Sequence, residues 1–426
     1  MRVVTPHEST DNSRAAAESA PLSRAAWLTL IAAFLGWMFD GMEQGIFPLV
    51  ARPALRELLA VDTDQQIGVW MGRLTAVFLV GAAFGGLVFG WLGDRLGRVR
   101  AMSLSILVYS AFTGACYFAT SPWELAVFRF VAALGMGGEW SLGVALVMET
   151  WPGHHRPWLA GAIGAASNIG FLAIGAIGYF VPITAHSWRW VMLVGAAPAA
   201  LTFFVRLFVP ESQRWTAAVA QRKAHPLSEI FAAPLRGRTI MAITLAAIVM
   251  IGTWGSVQWI PLWADKLTHG TVPAAKALTQ VLIASGAVVG CISGALAARR
   301  GRRAAFSVLC LGSFGTCALL FHGVSHYGAA FQVLSFLVGV FTAAFFGWLP
   351  LYLPELFPTR VRATAQGIGY NAGRILAAVG ALGAGRLVEF YDGNYARMGT
   401  VITLVYLLGA AIIWLAPETK DQSLPE

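Results

Sequence analysis

The sequence has 426 residues, of which 57% are hydrophobic and only 12% are charged, and its mean hydropathy is +0.65. A soluble domain carries about 25% charged residues, so this composition excludes an ordinary soluble enzyme or binding module. The formal net charge is +9, but the basic residues are scattered through short gaps between apolar segments. That distribution is typical of positive-inside topology and argues against a nucleic-acid partner. We therefore predict a helical protein that crosses the membrane many times.

Residues 1–25 are polar and of mixed charge, which predicts a cytoplasmic tail and not a signal peptide. A membrane-spanning helix needs about 20 mostly apolar residues, and twelve such segments can be drawn after the tail. Their ranges are 26–50, 68–92, 101–119, 122–148, 160–181, 189–208, 239–263, 276–297, 304–322, 329–353, 363–389 and 396–416. The even number places both termini on one side, and most Lys and Arg residues fall in the gaps on that side. Both termini are therefore predicted to be cytoplasmic, in the inner membrane of a bacterium.

The chain also repeats itself. The polar interval 209–238, predicted to be a cytoplasmic linker, separates one set of six segments (26–208) from a second (239–416), and 417–426 is a second cytoplasmic tail. "METWPGHHRPWLAG" in the first set aligns with "PELFPTRVRATAQG" in the second, and "GWLGDRLGR" aligns with "GALAARRGR" at nearly the same offset. The predicted fold class is an all-α membrane protein with twelve transmembrane helices in two pseudo-symmetric six-helix halves. Repeats that face each other across a midplane site are typical of transporters.

The loop "GWLGDRLGRVR" (90–100) resembles the signature loop of the major facilitator superfamily. The resemblance implies gating or structural roles for Gly90, Asp94, Arg95, Gly97 and Arg98. Asp94 is expected to accept hydrogen bonds from a neighbouring helix end, or to pair with a basic group, and so to hold the halves together in one state. The alternative is a basic loop that serves topology alone. In the repeated copy Ala298 replaces the acid, so any latch there is expected to be weaker.

Two elements of the pattern ExxPxxxR, together with "PESQRW" and "PETK", are also widespread in that superfamily. They imply an interlocking charge network at the cytoplasmic helix ends, formed by Glu149, Arg156, Glu355 and Arg362. The resemblance covers the chain from about Trp27 to Lys420. "RFVAALGMGGEWSLGVALVMETWPGHHR" (129–156), "GIGYNAGR" and "FDGME" further resemble the branch of symporters that carry sialate and related carboxylates with H⁺. The sugar-porter branch shares "PES" and "PET".

Ionisable side chains at membrane depth cost several kcal/mol unless they are paired or hydrated, so each is a functional candidate. Asp40 and Glu43 share one helix face in the first segment, and two close carboxyl groups in a low dielectric cannot both ionise easily. At least one of them is expected to carry a proton near neutral pH, which suits proton coupling. Glu139, in "GMGGEW", is a third candidate for a proton relay. The alternative is that these acids are polar groups satisfied by water and by neighbouring helices.

Arg374 lies close to mid-depth in the eleventh segment, with Asn371 one turn earlier on the same face. A guanidinium group stays charged and its planar fork matches a carboxylate, so this pair is predicted to bind an anionic substrate. The alternative for Arg374 is an internal salt bridge to Asp40 or Glu139. Arg129 is a further substrate-site candidate, or a structural group coupled to an acid.

Trp254 and Gln258, in "TWGSVQWIP", are predicted to form a cavity wall with one polar handle, although aromatic residues at such positions often serve packing alone. No nucleotide loop, nucleophile triad or metal-ligand spacing is present in the sequence, so we predict no enzyme activity, no cofactor and no metal site. The predicted function is proton-coupled uptake of a small organic anion by alternating access, by a monomer in the lipid bilayer. The alternatives are a sugar or polyol porter and, less favoured, a membrane sensor that does not transport.

Overall fold

A computed structural model describes residues 23–60, 64–180, 187–221, 226–268, 272, 274–391 and 394–425, and those residues contain helices but no strand. All but the last few residues of the predicted amino-terminal tail lie outside this part of the chain. The helices of the first half are α1 (Arg24–Leu59), α2 (Asp64–Leu96), α3 (Arg98–Ala115), α4 (Pro122–Thr150), α5 (Arg156–Phe180), α6 (Trp188–Val194) and α7 (Ala199–Phe208). Two short helices follow in the predicted linker, α8 (Gln213–Gln221) and α9 (Pro226–Ile230). The helices of the second half are α10 (Ala233–Gly255), α11 (Ile260–Leu267), α12 (Ala274–Ala297), α13 (Arg302–Gly323), α14 (Ala329–Ala343), α15 (Phe345–Leu356), α16 (Arg362–Phe390), α17 (Tyr395–Thr403) and α18 (Val405–Ile412).

Ten helical spans in the described residues are long and apolar enough to cross a membrane. The two other predicted segments are present as helices but differ in character. Segment 189–208 is divided into α6 and α7, and α7 begins directly after Pro198, which has no backbone N–H to continue a helix. Segment 363–389 coincides with α16, whose 29 residues are long enough but include charged side chains that lower its hydropathy. The least apolar spanning helix is therefore the one that contains Arg374.

One more segment that was predicted as a continuous helix is interrupted. Segment 239–263 ends its first helix at Gly255 and resumes at Ile260, with Pro261 in the first turn, where proline is tolerated. Segments 329–353 and 396–416 each remain one span, and the backbone at Ala344 and at Leu404 stays in the right-handed helical region. The predicted number of passages holds, while the predicted continuity was wrong in segment 239–263.

The two halves meet through helices with small residues at the contact. Helix α2 packs on α16, and α5 packs on α12 and α15. A Cβ atom at Gly90 of α2 would lie 2.9 Å from the carbonyl oxygen of Ala363 in α16, and one at Gly161 of α5 would lie 2.9 Å from Cα of Ile292 in α12. Glycine at both positions therefore permits backbones of opposite halves to approach closely, as in other membrane helix pairs.

Polarity is distributed as in a membrane protein, because large apolar side chains are exposed on the outside of many spanning helices while charged ones are buried inside. Exposed examples are Phe84, Val88, Leu107, Val127, Val289, Leu319, Val379 and Leu408. The buried charged side chains include Asp40, Glu43, Asp94, Arg98, Arg129, Glu139, Glu149, Arg362 and Arg374. These nine fall into two groups at different depths, which are described next.

Candidate functional site

The first group lies deep between the halves, and we name it the central cluster: Asp40 and Glu43 on α1, Arg129 and Glu139 on α4, and Asn371 and Arg374 on α16. All six side chains are at least 94% buried. Asp40 lies about 24 Å and Arg374 about 18 Å along the axes of α1 and α16 from the helix starts, at 1.5 Å per residue. Both residues therefore lie several turns away from either end of their helices.

Glu43 and Arg129 form the ion pair of this cluster. Nη1 of Arg129 lies 3.3 Å from Oε1 of Glu43, and its guanidinium stands over the rings of Phe47 and Phe78, at 4.1 and 4.7 Å from their centroids. Two aromatic faces and one carboxylate thus hold the buried cation within the first half. This contact matches the reading in which Arg129 is coupled to an acid.

Asp40 and Glu139 lack such a cation. Oδ2 of Asp40 accepts a hydrogen bond of 3.2 Å from Nε2 of Gln44, one turn later, and Oδ1 has no hydrogen-bond partner among the described residues. Neither carboxyl oxygen of Glu139 has a partner there, and its carboxyl group packs against the backbone of Gly36 on α1. Asp40 lies within electrostatic range of Glu139, Glu43 and Arg374. A buried carboxyl group without a partner is much less costly when it is protonated.

Arg374 projects from the second half toward these acids. Its guanidinium lies 5.2 Å from the ring centroid of Tyr370, one turn earlier. No carboxylate of the described chain comes within ion-pair distance of it, so the alternative of an internal salt bridge to Asp40 or Glu139 does not occur in this state. Nδ2 of Asn371 donates to the carbonyl oxygens of Gly137 and Gly367, both at 3.0 Å, while Oδ1 of Asn371 is buried and has no hydrogen-bond partner among the described residues. Asn371 therefore joins α16 to α4 across the halves.

Sequence reasoning did not include the aromatic residues that surround this cluster. The rings of Trp140 and Tyr370 stack with centroids 4.1 Å apart and planes inclined by 20°. Trp37 closes this pair from α1, at 6.3 Å from Trp140 and 6.4 Å from Tyr370. Gln366, one turn before Tyr370, is fully buried and both of its amide atoms lack partners in the described chain. Trp140 directly follows Glu139 in the sequence, and Tyr370 directly precedes Asn371. That adjacency was the sequence signal that could have placed both rings at the central cluster.

The predicted cavity-wall residues do not join the central cluster. Gln258 is exposed in the turn Val257–Trp259, and Trp254 packs half-buried against apolar side chains. Within the described residues, no hydrogen bond or ring contact links either of them to Arg374 or Asn371. Their role as a cavity wall stays a prediction.

The second group lies where both described chain ends meet, which we name the termini face. Oδ1 and Oδ2 of Asp94, at the end of α2, accept hydrogen bonds from the backbone N–H groups of Ala363 and Thr364 at the start of α16, at 3.3 and 2.8 Å. Asp94 also pairs with Arg98 at 2.6 Å. Both contacts expected of Asp94 are therefore present, and the first one crosses between the halves.

Glu149 is the other centre of the termini face. Its Oε1 pairs with Arg98 at 3.2 Å and with Arg362 at 3.0 Å, while Oε2 accepts a hydrogen bond from the hydroxyl of Ser212. Arg98 further donates to the carbonyl oxygen of Thr359 at 2.6 Å. Because Arg362 and Thr359 belong to the second half, this network also crosses between the halves.

The repeated copy of this network remains within its own half. Glu355 forms a two-pronged pair with Arg302, at 2.8 and 2.9 Å, and accepts from the hydroxyl of Thr419. Arg156, the expected counterpart of Arg362, forms no ion pair in the described part of the chain, and its buried Nε lacks a partner. The interlocking network is therefore asymmetric, and Arg156 does not take part through an ion pair.

The signature loop and its copy share one local geometry. Gly97 and Gly301 have positive φ angles of 105° and 148°, which glycine adopts at low cost. Glu211 of "PES" accepts from the backbone N–H of Arg98, and Glu418 of "PET" accepts from that of Arg302, at 2.8 and 2.9 Å.

Two further features belong to these loops. Partial burial alone would raise the pKa of Glu418, but the backbone N–H donors of residues 302, 303, 419 and 420 lower it below its usual range. Arg95 is exposed, with its guanidinium 4.8 Å from the ring of Trp91, and it stands apart from both networks.

Comparison with known proteins identifies the family. The Major Facilitator Superfamily model matches residues 26–381, which is most of the chain. The chain belongs to the Major Facilitator Superfamily. This member is 30% identical over 411 residues to a protein of Haemophilus influenzae named for metabolite transport, with 93% of this chain and 98% of that protein aligned.

Two further relatives have names that state a substrate. The niacin transporter NiaP of Acinetobacter baylyi is 25% identical, with 96% of this chain and 97% of the relative aligned. The sialic acid transporter NanX of Escherichia coli is also 25% identical, over 91% and 92% of the two chains. This superfamily member is therefore an integral multi-pass membrane transporter of small metabolites and not an enzyme.

The same fold occurs in a solved structure. The proton:xylose symporter XylE, with 6-bromo-6-deoxy-D-glucose bound, superimposes with a TM-score of 0.78 over 95% of this chain and 98% of that one, at 17% identity. At this identity the likeness establishes the fold alone. It supports the prediction of twelve transmembrane helices in two six-helix halves.

Proposed function

We propose that this transporter carries a small organic carboxylate together with protons, by alternating access of a central site. The observation that supports the carboxylate is Arg374, a guanidinium that is 94% buried between the halves with no ion-pair partner in the described chain. A buried cation without a close ion-pair partner is a natural site for an anion. Asn371 lies one turn earlier, but its Nδ2 donates to Gly137 and Gly367 in this state, so it can donate to a carboxylate only when one of those bonds breaks. The names of the niacin and sialic acid transporters both denote carboxylic acids.

The proposed proton carriers are Asp40 and Glu139, with Glu43 in a lesser role. Asp40 lies within electrostatic range of Arg374, so binding of an anionic substrate at Arg374 changes the field at Asp40. Because the bound substrate neutralises the guanidinium of Arg374, it favours the protonated form of Asp40. Release of the substrate therefore favours release of the proton, and release of the proton favours release of the substrate. Glu43 already has Arg129 as its cation, which leaves it less responsive to the substrate.

The termini face supplies the proposed gate. In this structure Asp94 and Glu149 close that face, which we place in the cytoplasm because the basic residues concentrate there. Release of substrate on that side requires α2 and α16 to separate, and the hydrogen bonds of Asp94 must then break. The two halves, 26–208 and 239–416, are the rigid bodies that rock in this proposal, with 209–238 as their linker.

The test is accumulation in proteoliposomes that contain the purified full-length protein. An inwardly directed pH gradient is expected to drive accumulation of radiolabelled nicotinate or sialic acid above the external concentration, and a protonophore is expected to abolish it. One pH unit supplies about 1.4 kcal/mol per proton, which is about a tenfold accumulation for one proton per neutral complex. Uptake of xylose in preference to both acids would overturn the carboxylate assignment. Acid uptake that is indifferent to the pH gradient would overturn the proton coupling.

A further inference from the structure

We infer that the carboxylate taken by this site has a flat aromatic ring as its body, and that the ring binds at the stacked pair of Trp140 and Tyr370. This inference rests on the proposed carboxylate function and specifies its substrate class. The two rings come from opposite halves, Trp140 from α4 and Tyr370 from α16, and both side chains are 97% buried. Their 4.1 Å separation and 20° inclination make this a face-to-face contact.

The stacked pair cannot persist through a transport cycle. Its two rings belong to different halves and lie toward the termini face from Arg374, so opening of the central site toward that face pulls the two rings apart. Each face then loses an aromatic neighbour in a dry environment. A flat aromatic ring placed between the separated faces restores both contacts at once, because aromatic rings prefer stacked or edge-to-face neighbours. A saturated ring of the same size makes apolar contact with both faces but has no π-face, so it does not restore the stacking.

Arg374 fixes where the carboxylate of such a substrate lies. Its guanidinium stands 5.2 Å from the centroid of the Tyr370 ring, which is the ring that would hold the substrate. A carboxylate attached directly to an aromatic ring on Tyr370 is therefore presented to the guanidinium fork without a long spacer. Trp37 borders both rings, and its buried indole N–H has no partner in the described chain. That donor suits a ring nitrogen or a ring hydroxyl at the substrate's edge.

A saturated sugar acid fits these groups less well. Pyranose hydroxyls need several donors and acceptors to replace water, whereas the borders of the stacked pair are mostly aromatic. The polar atoms close to it that lack partners in the described chain are Trp37 Nε1, Asn371 Oδ1, the amide of Gln366 and the carboxyl oxygens of Glu139. On the second-half side of the stacked pair, the cation of Arg374 lies next to the aromatic face of Tyr370. That combination recognises an aromatic monocarboxylate.

The experiment compares two acids that differ only in aromaticity, benzoate and cyclohexanecarboxylate, by calorimetric binding to the purified full-length protein. Benzoate is expected to bind about tenfold more tightly, as stacking on two faces predicts. Tyr370→Leu is expected to bring the ratio of the two dissociation constants close to one, whereas Tyr370→Phe, which keeps the ring, is expected to retain it. Tyr391→Leu, just beyond the far end of α16, is the matched control.

Each outcome decides a different point. Equal affinities of the wild-type protein for both acids would overturn the aromatic inference and leave the carboxylate proposal standing. If neither acid binds while xylose does, the carboxylate proposal itself fails. If Tyr370→Leu folds and still prefers benzoate tenfold, the ring lies elsewhere and the stacked pair is only packing. The Tyr370→Phe variant separates loss of the ring from loss of the hydroxyl should the leucine variant prove unstable.

Discussion

Arg374 is the buried cation of the central cluster that has no ion-pair partner in the described chain. A substitution can therefore test whether its planar guanidinium binds the substrate carboxylate. Arg374→Lys keeps the positive charge but replaces a planar two-pronged donor by a single ammonium group. We expect acid binding to weaken about tenfold, because one of two charge-assisted hydrogen bonds is lost. Titration calorimetry with the preferred acid measures the change. Arg386→Lys, exposed on the same helix, is the control, and affinity unchanged at Arg374→Lys would show that Arg374 is not the clamp.

Asp40 is the acid whose substitution separates binding from coupling. Asp40→Asn imitates a permanently protonated side chain, so the variant is expected to bind substrate and exchange it across the membrane. It cannot release the proton, and therefore it cannot return empty and accumulate substrate. Counterflow in proteoliposomes is expected to survive while accumulation driven by pH disappears, measured from pH 5.5 to 8.

Substitutions of three further acids test this prediction, and one of them is a control. Glu139→Gln, at a carboxyl group that has no hydrogen-bond partner in the described chain, is expected to reduce accumulation as Asp40→Asn does. Glu43→Gln is expected to affect accumulation less, because Glu43 is held by Arg129. Glu124→Gln, exposed at the start of α4, is expected to change neither assay. Accumulation that persists in Asp40→Asn but fails in Glu139→Gln would move the proton to Glu139.

At the scale of helices, the end of α2 is fastened to the start of α16 by Asp94. The carboxylate accepts two backbone N–H bonds from α16 and also pairs with Arg98. Asp94→Asn has one acceptor oxygen and no charge, so it cannot replace all three contacts. We expect transport to fall several-fold with membrane insertion intact, as measured by initial uptake rate per inserted molecule. Arg100→Gln, exposed in α3, is the control, and wild-type rates in Asp94→Asn would exclude the latch.

The two loop glycines form a matched pair for a stability measurement. Both Gly97→Ala and Gly301→Ala place an L side chain at positive φ, which costs about 1–2 kcal/mol. At Gly97 the new methyl group would also collide with the carboxylate of Glu211, whereas at Gly301 the nearest atom is an oxygen of Glu418 at 3.6 Å. Gly97→Ala is therefore expected to lower the midpoint of thermal unfolding more than Gly301→Ala. An equal loss in both would mean that Glu211 moves aside freely.

The twelve transmembrane helices were predictable because the length and the apolar character of each local segment determine whether it can span a membrane. The contacts of Asp94 and Glu149 with the second half were less predictable, since they join groups 213 to 270 positions apart. Alignment of the repeat correctly paired Gly97 with Gly301, whose backbone geometry is local. It misled at Arg156, because the symmetric sequence does not require symmetric contacts once the halves meet in one particular state. The stacking of Trp140 on Tyr370 was missed because neither half contains both rings.

For the whole molecule, the asymmetry of the termini face means that one repeat copy supplies the contacts between halves. Glu149 binds Arg362 across the interface, whereas both carboxylate oxygens of Glu355 accept hydrogen bonds from Arg302 within its own half. The state described here is therefore held closed mainly by the side chains of the signature loop and its neighbours. The described part of the predicted carboxy-terminal tail, 417–425, lies against this same interface.

The tail contributes through its backbone and one apolar anchor. The carbonyl oxygen of Pro425 accepts from Nη2 of Arg362 at 2.8 Å and from the backbone N–H of Thr359 at 3.2 Å, and the side chain of Leu424 beside it is 97% buried. Both acceptor contacts involve residues that also bind first-half groups, Glu149 and Arg98. The docked tail thus orders the second-half side of the closed interface.

Leu424→Asp is expected to release the tail, because a buried leucine becomes a charged side chain that prefers water. Loss of two hydrogen bonds at about 1 kcal/mol each, about 2 kcal/mol in total, would favour opening of the termini face by about thirtyfold. Ser423→Asp adds the same charge one residue earlier, at an exposed position, and is expected to leave the equilibrium unchanged. The readout is the alkylation rate of Ala295→Cys, at the contact of α12 with α5, in protein whose native cysteines are replaced by serine or alanine. Faster labelling in Leu424→Asp alone supports a tail that stabilises the closed state, whereas equal rates in both variants would leave the tail with no part in the gate.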